Sequence, residues 1–180
     1  MTLILALGGS PSSPSRSAAL LEHTVEYMEA RGMQTKTLHV RDLDPRELMH
    51  AQLNGPTVTA AGALIAEADG ILVTTPVYKA SYTGLLKAFL DLLPQTALAG
   101  KTVLPVALGG SLAHMLIIDY ALRPVLAAMG AYNVLQGIYL LDNAMEHDAG
   151  RFVKFTTQDA EDRLHNGVTQ LIHAVTVEKQ

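Results

Sequence analysis

Short apolar stretches alternate with amphipathic stretches along most of the chain. Residues 3–7, 70–75 and 102–108 are apolar almost throughout, which is typical of strands covered on both faces, and residues 35–40 and 134–141 also indicate strands. Between them, apolar residues recur at helical spacing over residues 18–28, 57–67, 85–93, 113–129 and 159–175. Gly32, Pro94 and Gly130 mark the ends of three of these predicted helices.

Strands that alternate with helices predict an α/β fold, with a parallel sheet and helices on both faces. Five strands with right-handed crossovers favour the order 2-1-3-4-5. Residues 142–157 are polar and are predicted to form a loop. We find no repeat, linker or low-complexity segment, so residues 1–180 are expected to form a single domain.

Composition narrows the classes of protein that this chain can represent. It has 180 residues, of which 49% are apolar and 17% charged, and a net charge of −4. High hydropathy with low charge excludes disorder as the main state, and the slight acidity argues against a nucleic-acid partner. No charge-free stretch is long and unbroken enough to span a membrane, and the first residues lack the positively charged region of a signal peptide, so we expect a cytoplasmic protein.

The apolar excess is concentrated in one region of the chain. Between residues 102 and 141 only Asp119 and Arg123 are charged, and their spacing of four residues predicts an ion pair along a helix. The predicted helix 113–129 is too apolar to face water over its whole surface. We therefore expect subunit contacts there and a homo-oligomer, either a dimer or a tetramer.

Ligands of such a sheet bind beyond the carboxyl ends of the strands, where three loops have unusual compositions. The loop after the first strand, residues 8–17, reads GGSPSSPSRS and offers five hydroxyls, backbone N–H groups, a guanidinium and a helix N-terminus. These groups suit a phosphate monoester. The alternative is a serine-rich turn that only caps the following helix.

The other two loops follow the third and fourth strands. Residues 76–82, PVYKASY, supply an aromatic ring and main-chain amides that suit a planar ligand, although the tyrosines alone would equally anchor a turn. Residues 109–114, GGSLAH, let the backbone approach a ligand closely, or form a flexible turn with a structural His114. No residues are spaced as a hydrolytic triad or a metal site.

These motifs resemble the NAD(P)H-dependent FMN reductase family, which has a flavodoxin-like fold, and most of all its sulfonate-assimilation branch. The resemblance rests on three segments: GGSPSSPSRS (8–17), ADGILVTTPVYKASYTGLLKAFLDLLP (68–94) and LPVALGGSLAHMLIIDYALRPVLAAMGA (104–131). The resemblance implies that Ser10, Ser15 and Ser17 bind the FMN phosphate, with Arg16 nearby. Ser12 belongs to the same loop and stands where many relatives carry Arg.

The resemblance also assigns the flavin ring and one helix position. It implies that the ring and ribityl chain are lined by residues of the second and third loops: Pro76, Val77, Tyr78, Lys79 and Ser81, then Gly109, Gly110 and Ser111, with His114 adjacent. It further implies that Tyr120 is a one-residue insertion that makes a π-bulge, a feature often found at functional sites. In the family, such a tyrosine reaches towards a partner's flavin site in a tetramer and favours flavin as a released substrate.

The resulting hypothesis is hydride transfer from NADPH, or NADH, to FMN. The reduced FMN would be released to an FMNH2-dependent monooxygenase that desulfonates alkanesulfonates. One alternative is a quinone or azo reductase that keeps FMN bound. Another is a flavodoxin-like electron carrier, which the near-neutral charge and the apolar helix disfavour.

Overall fold

The computed structural model describes residues 2–148 and 151–177, apart from the side chain of residue 153. Its main sheet is parallel and has the predicted order 2-1-3-4-5. The first four strands are β1 (Leu3–Gly8), β2 (Gln34–His39), β3 (Gly70–Pro76) and β4 (Thr102–Gly109). Strand β1 pairs with β2 and β3, and β4 pairs with β3.

Helices cover both faces of this sheet, as predicted. They are α1 (Arg16–Glu29), α2 (Pro45–Met49), α3 (Pro56–Glu67), α4 (Gly84–Leu90), α5 (Arg123–Ala128) and α6 (Gln158–Val177). Helices α1 and α6 pack on one face with Ile4 and Ala6, whereas α3, α4 and α5 pack on the other with Leu5 and Leu7. Alternate residues of β1 thus enter two different cores, which explains why the strand is apolar throughout.

The fifth position of the sheet holds two short strands instead of the single predicted strand 134–141. They are β5 (Asn133–Val134) and β6 (Ile138–Leu141), and both pair with β4. Between them, the guanidinium of Arg123 donates to the carbonyl oxygens of Val134 (2.6 Å) and Leu135 (3.1 Å). A side chain thus takes carbonyl groups that would otherwise be available to the sheet. Arg123 also forms the predicted ion pair with Asp119, at 3.1 Å.

The predicted helix 113–129 is also interrupted. A 3-10 turn at Leu112–His114 is followed by a π-helix, Ile118–Leu122, which runs into α5. Pro124 has no N–H to donate to the carbonyl of Tyr120, so regular α-helical bonding fails at this point. The π-helix confirms the bulge that the resemblance implied at Tyr120.

The predicted polar loop 142–157 is wrong in part, because it contains an antiparallel hairpin. Strands β7 (Met145–Asp148) and β8 (Arg151–Phe155) pair outside the main sheet. The ring of Phe152 stacks on His23 of α1, with 3.8 Å between centroids. Three apolar residues scattered through a polar stretch, Met145, Phe152 and Phe155, pack the hairpin against the core between α1 and α6.

Burial beneath this hairpin lowers the pKa of His23, and the nearby His165 lowers that pKa further. Glu26 and Glu161 act in the opposite direction and do not compensate. The neutral imidazole is therefore the form that the fold favours. Among the described residues, no helix combines the length and apolar composition needed to cross a bilayer.

Candidate functional site

The loop between β1 and α1, residues 8–17, is named here the hydroxyl loop. Ser15 caps α1, since its Oγ accepts from the N–H of Ala18 at 3.4 Å, and it lies 3.0 Å from the Oγ of Ser17. Ser10 is buried, and its Oγ accepts from the N–H of Ser12 at 3.2 Å. Several hydroxyls therefore converge at the start of α1, where the helix dipole favours an anion.

Neighbouring elements hold the hydroxyl loop in place. The N–H of Gly9 donates to the carbonyl of Thr74 (2.8 Å), and the Thr83 hydroxyl donates to the carbonyl of Gly9 (2.5 Å). Arg41, beyond β2, donates from Nη1 to the carbonyl of Ser12 (2.9 Å). The loop is thus tied to elements on both sides of β1, so its donors are in position before any ligand arrives.

The loop after β3 makes a tight turn from Tyr78 to Ser81. The two residues exchange main-chain hydrogen bonds of 2.9 and 3.1 Å. Lys79 and Ala80, at the centre, have φ of 50° and 59°, the left-handed region that favours glycine. Such conformations cost about 1–3 kcal/mol each and cluster at functional sites. Most of the second predicted loop is therefore a strained turn at the carboxyl edge of the sheet.

The loop after β4 is shaped by Tyr139 of β6. Its hydroxyl donates to the carbonyl of Ser111 at 2.6 Å, and a Cβ on Gly109 would overlap that hydroxyl and approach Val77 to 3.1 Å. Burial raises the pKa of Tyr139, and the nearby carboxylate of Asp142 raises it further, so the phenol keeps its proton. Glycine at 109 thus allows strands and loop to pack closely.

Two clefts open among these loops. The first, of about 210 Å³, brings together two of the three loops: it is lined by Ser10, Ser12, Pro14, Ser15, Arg16, Ser17, Pro76, Tyr78, Leu108 and Asp142. Across it, the Ser12 and Tyr78 hydroxyls are 3.4 Å apart. The second, of about 340 Å³, is lined by Ala80, Ala113, His114, Leu116, Ile117, Tyr120 and Ala121.

The structure therefore gathers nine of the residues named from the sequence into the two clefts. Seven line the first cleft, and His114 and Tyr120 line the second. The others belong to the loops or turn that bear these lining residues: Val77, Lys79, Ser81, Gly109, Gly110 and Ser111.

Sequence reasoning missed Asp142, Leu108 and Pro14 in the first cleft. Asp142 directly follows β6, so the rule that ligands meet the carboxyl ends of strands would have found it. The polar composition of residues 142–157 hides this position in the sequence. Leu108 lies within the predicted fourth strand, and nothing in its apolar pattern marks it as a lining residue.

The sheet order and the hydroxyl loop at the start of α1 define a flavodoxin-like protein. A flavodoxin from the domain Archaea has the same fold, with a TM-score of 0.64 at 14% identity over 97% of this chain and 99% of that one. The chain belongs to the NADPH-dependent FMN reductase family, whose model matches residues 2–146. This confirms the resemblance seen in the sequence.

The chain is similar to several named reductases. It is 48% identical to "FMN reductase (NADPH)" of Pseudomonas putida over 92% of this chain and 84% of the relative, and 37% identical to "NADH-dependent FMN reductase SfnF" of the same species over 76% and 75%. The solved apo form of "NADH:FMN oxidoreductase (EMOB)" is 42% identical, with a TM-score of 0.86 over 97% of this chain and 90% of that one. The chain is thus an oxidoreductase of FMN that depends on NADPH or NADH.

Proposed function

We propose that this enzyme is the reductase component of a two-component flavin monooxygenase system. It would reduce free FMN with NADPH or NADH and pass the reduced flavin to a monooxygenase that desulfonates alkanesulfonates in the cytoplasm. Similarity to SfnF of Pseudomonas putida supports the link with sulfonates. The observation that carries the proposal is the first cleft, in which hydrogen-bond donors suited to a phosphate lie beside Tyr78 of the turn after β3.

The hydroxyl loop fits the phosphate of FMN. Its donors are the hydroxyls of Ser10, Ser12, Ser15 and Ser17, the N-terminus of α1 and the exposed guanidinium of Arg16. A phosphate accepts hydrogen bonds on three oxygens and carries negative charge, so it satisfies hydroxyls, amides and a cation together. Hydroxyls and amides would carry most of the binding, because residue 12 is serine.

The two loops after β3 and β4 fit the ring and ribityl chain. We assign one side to Pro76, Val77, Tyr78, Lys79 and Ser81, and the other to Gly109, Gly110 and Ser111, with His114 next to them. The strained Tyr78–Ser81 turn supports this assignment, because its backbone conformation must be maintained against a cost. The close packing at Gly109 lets the backbone of the third loop form a wall.

When bound in the cleft, the flavin would supply N5 as the acceptor of a hydride from the nicotinamide C4, so the chemistry of the transfer would reside in the two bound molecules. The protein residues position the two rings and restrict water in the clefts. No side chain has to donate or remove a proton in that step, which agrees with the lack of a catalytic triad in the sequence.

The position and exposure of Tyr120 support a role for this residue in subunit assembly and flavin release. It lies on the π-helix, lines the second cleft, and is 79% exposed. The nearby side chains of Leu112, Met115 and Leu116 are also more than half exposed. Large exposed apolar side chains grouped in one segment of the chain indicate a protein interface. We therefore propose a homo-oligomer, a tetramer in its full form, in which Tyr120 reaches a partner subunit's flavin site.

The proposal is tested by flavin content and steady-state kinetics. We expect a protein that purifies with little flavin and reduces free FMN, assayed with NADPH and NADH against FMN, FAD and riboflavin. A yellow protein with one FMN per subunit that turns over quinone better than free FMN would contradict the proposal and favour a quinone or azo reductase. Sulfite release from an alkanesulfonate, with an FMNH2-dependent alkanesulfonate monooxygenase added, tests the handover.

The role of Tyr120 is tested by Tyr120→Ala. We expect the variant to retain FMN on purification and to lose free-flavin reductase activity. The matched control is Tyr132→Ala, since Tyr132 is similarly exposed (75%) but lines neither cleft. A colourless, fully active Tyr120→Ala variant would refute this role, and sedimentation velocity would report the change in assembly.

A further inference from the structure

The side chain of Asp142 is a carboxylate in the first cleft, and among residues 2–148 and 151–177 it makes no hydrogen bond and no ion pair. Its charge acts on the nearby phenol of Tyr139, whose pKa it raises. It is half-buried and follows β6 at the carboxyl edge of the sheet. A Cβ on Gly110 would lie 3.6 Å from its Oδ2, an ordinary contact. The carboxylate therefore lies beside the third loop, and its hydrogen-bonding capacity is not used by the fold.

The rest of the polar lining of this cleft consists of donors. Arg16 can only donate, and the serine and tyrosine hydroxyls can donate to an acceptor such as phosphate. An ionised carboxylate can only accept, and it repels a phosphate. A ligand that satisfies the whole cleft therefore has an anionic acceptor at one end and hydroxyl donors further along.

FMN has this combination, because its phosphate is joined to the ring by a polyol chain with three hydroxyls. We propose that Asp142 accepts hydrogen bonds from the ribityl hydroxyls of the flavin, which makes it a specificity-determining residue of the site. Its negative charge also disfavours the reversed orientation, in which the phosphate would face β6. This inference rests on the flavin site proposed above.

Because the Asp142 carboxylate makes no hydrogen bond or ion pair in the described part of the fold, a binding role can be separated from a structural one. Removing the carboxylate breaks no hydrogen bond seen in the structure, so Asp142→Ala is expected to fold normally. Its thermal midpoint and far-UV circular dichroism should match those of the wild type. Any loss of flavin affinity then reports the contact itself.

The experiment measures dissociation constants by flavin fluorescence for FMN, riboflavin and lumiflavin, which lacks the ribityl chain. Removal of a hydrogen bond to a charged group typically weakens binding by about tenfold or more. We expect Asp142→Ala to raise the dissociation constants of FMN and riboflavin by the same factor and to leave that of lumiflavin unchanged. Asp142→Asn, which keeps an acceptor oxygen, should lose less. Glu146→Gln removes an exposed carboxylate outside the cleft and should change nothing.

Three results would overturn the proposal. Tighter FMN binding with unchanged riboflavin would mean that Asp142 only repels the phosphate. Equal weakening of lumiflavin would mean a contact with the ring, and unchanged affinity for all three would mean no contact. The flavin site itself is tested separately by Arg16→Gln, which should weaken FMN but not riboflavin; if FMN binding is unaffected there, the site assignment fails instead.

Discussion

Thr83 is the residue whose replacement most directly tests how the hydroxyl loop is held. It is buried, and its hydroxyl donates to the carbonyl of Gly9 (2.5 Å) while accepting from the N–H of Leu86 (3.1 Å). The second bond caps α4. In Thr83→Val the shape of the side chain is kept and both hydrogen bonds are lost.

The magnitude follows from the two groups that lose their partner. A buried polar group left unsatisfied costs about 1–3 kcal/mol, and loss of a helix N-cap typically costs about 1 kcal/mol. Because valine leaves no cavity, a further packing loss is not expected. We therefore expect the free energy of unfolding of Thr83→Val to fall by about 2–4 kcal/mol, a large part of the 5–15 kcal/mol typical of a domain.

Urea unfolding followed by circular dichroism measures this change, and steady-state kinetics should show a raised KM for FMN because Gly9 precedes Ser10 in the loop. Thr83→Ser is the matched control, since it keeps the hydroxyl and should retain most of the stability. If Thr83→Val unfolds within about 0.5 kcal/mol of the wild type, the assigned hydrogen bonds do not anchor the loop.

Two further predictions concern the packing of the third loop and the hairpin. Gly109→Ala places a methyl group against the Tyr139 hydroxyl, so we expect the free energy of unfolding to fall by about 1–3 kcal/mol and the KM for FMN to rise. Gly110→Ala is the control, because residue 110 has more space, and its free energy of unfolding in the same urea assay should be close to that of the wild type. The lowered pKa of His23 means that its contribution to stability is present above pH 6.5 and is lost as pH falls from there through the folded pKa. The urea midpoint should therefore drop in this range, and His23→Phe should reduce the drop; an equal drop in both would contradict the role of His23.

The fold was largely predictable because its signals are local. The apolar runs at residues 3–7 and 70–75 and the helical spacing between them lead to the sheet order that the structure has. The fifth strand and the hairpin were not predictable in this way. Arg123, from a neighbouring element, binds the carbonyl groups of Val134 and Leu135, and Phe152 is partly covered by His23 of α1, which stacks on its ring.

The candidate site shows the same division. The hydroxyl loop was visible in the sequence, since its serines and the helix that follows are contiguous. Asp142 was not, because its importance depends on β6 ending beside Gly110 and the hydroxyl loop, more than 120 residues away in the chain.

By itself, the sequence determined the class of fold and the run of hydroxyls after the first strand, which are set by local periodicity and by contiguous residues. The position of the π-bulge came from the resemblance to a known family. The tertiary structure decided which loops share a cleft, the strained turn at Lys79 and Ala80, and the placement of Asp142. Those features depend on the register and crossover of strands far apart in the chain. Side chains from different elements come within a few ångströms only when both cores of the sheet are packed.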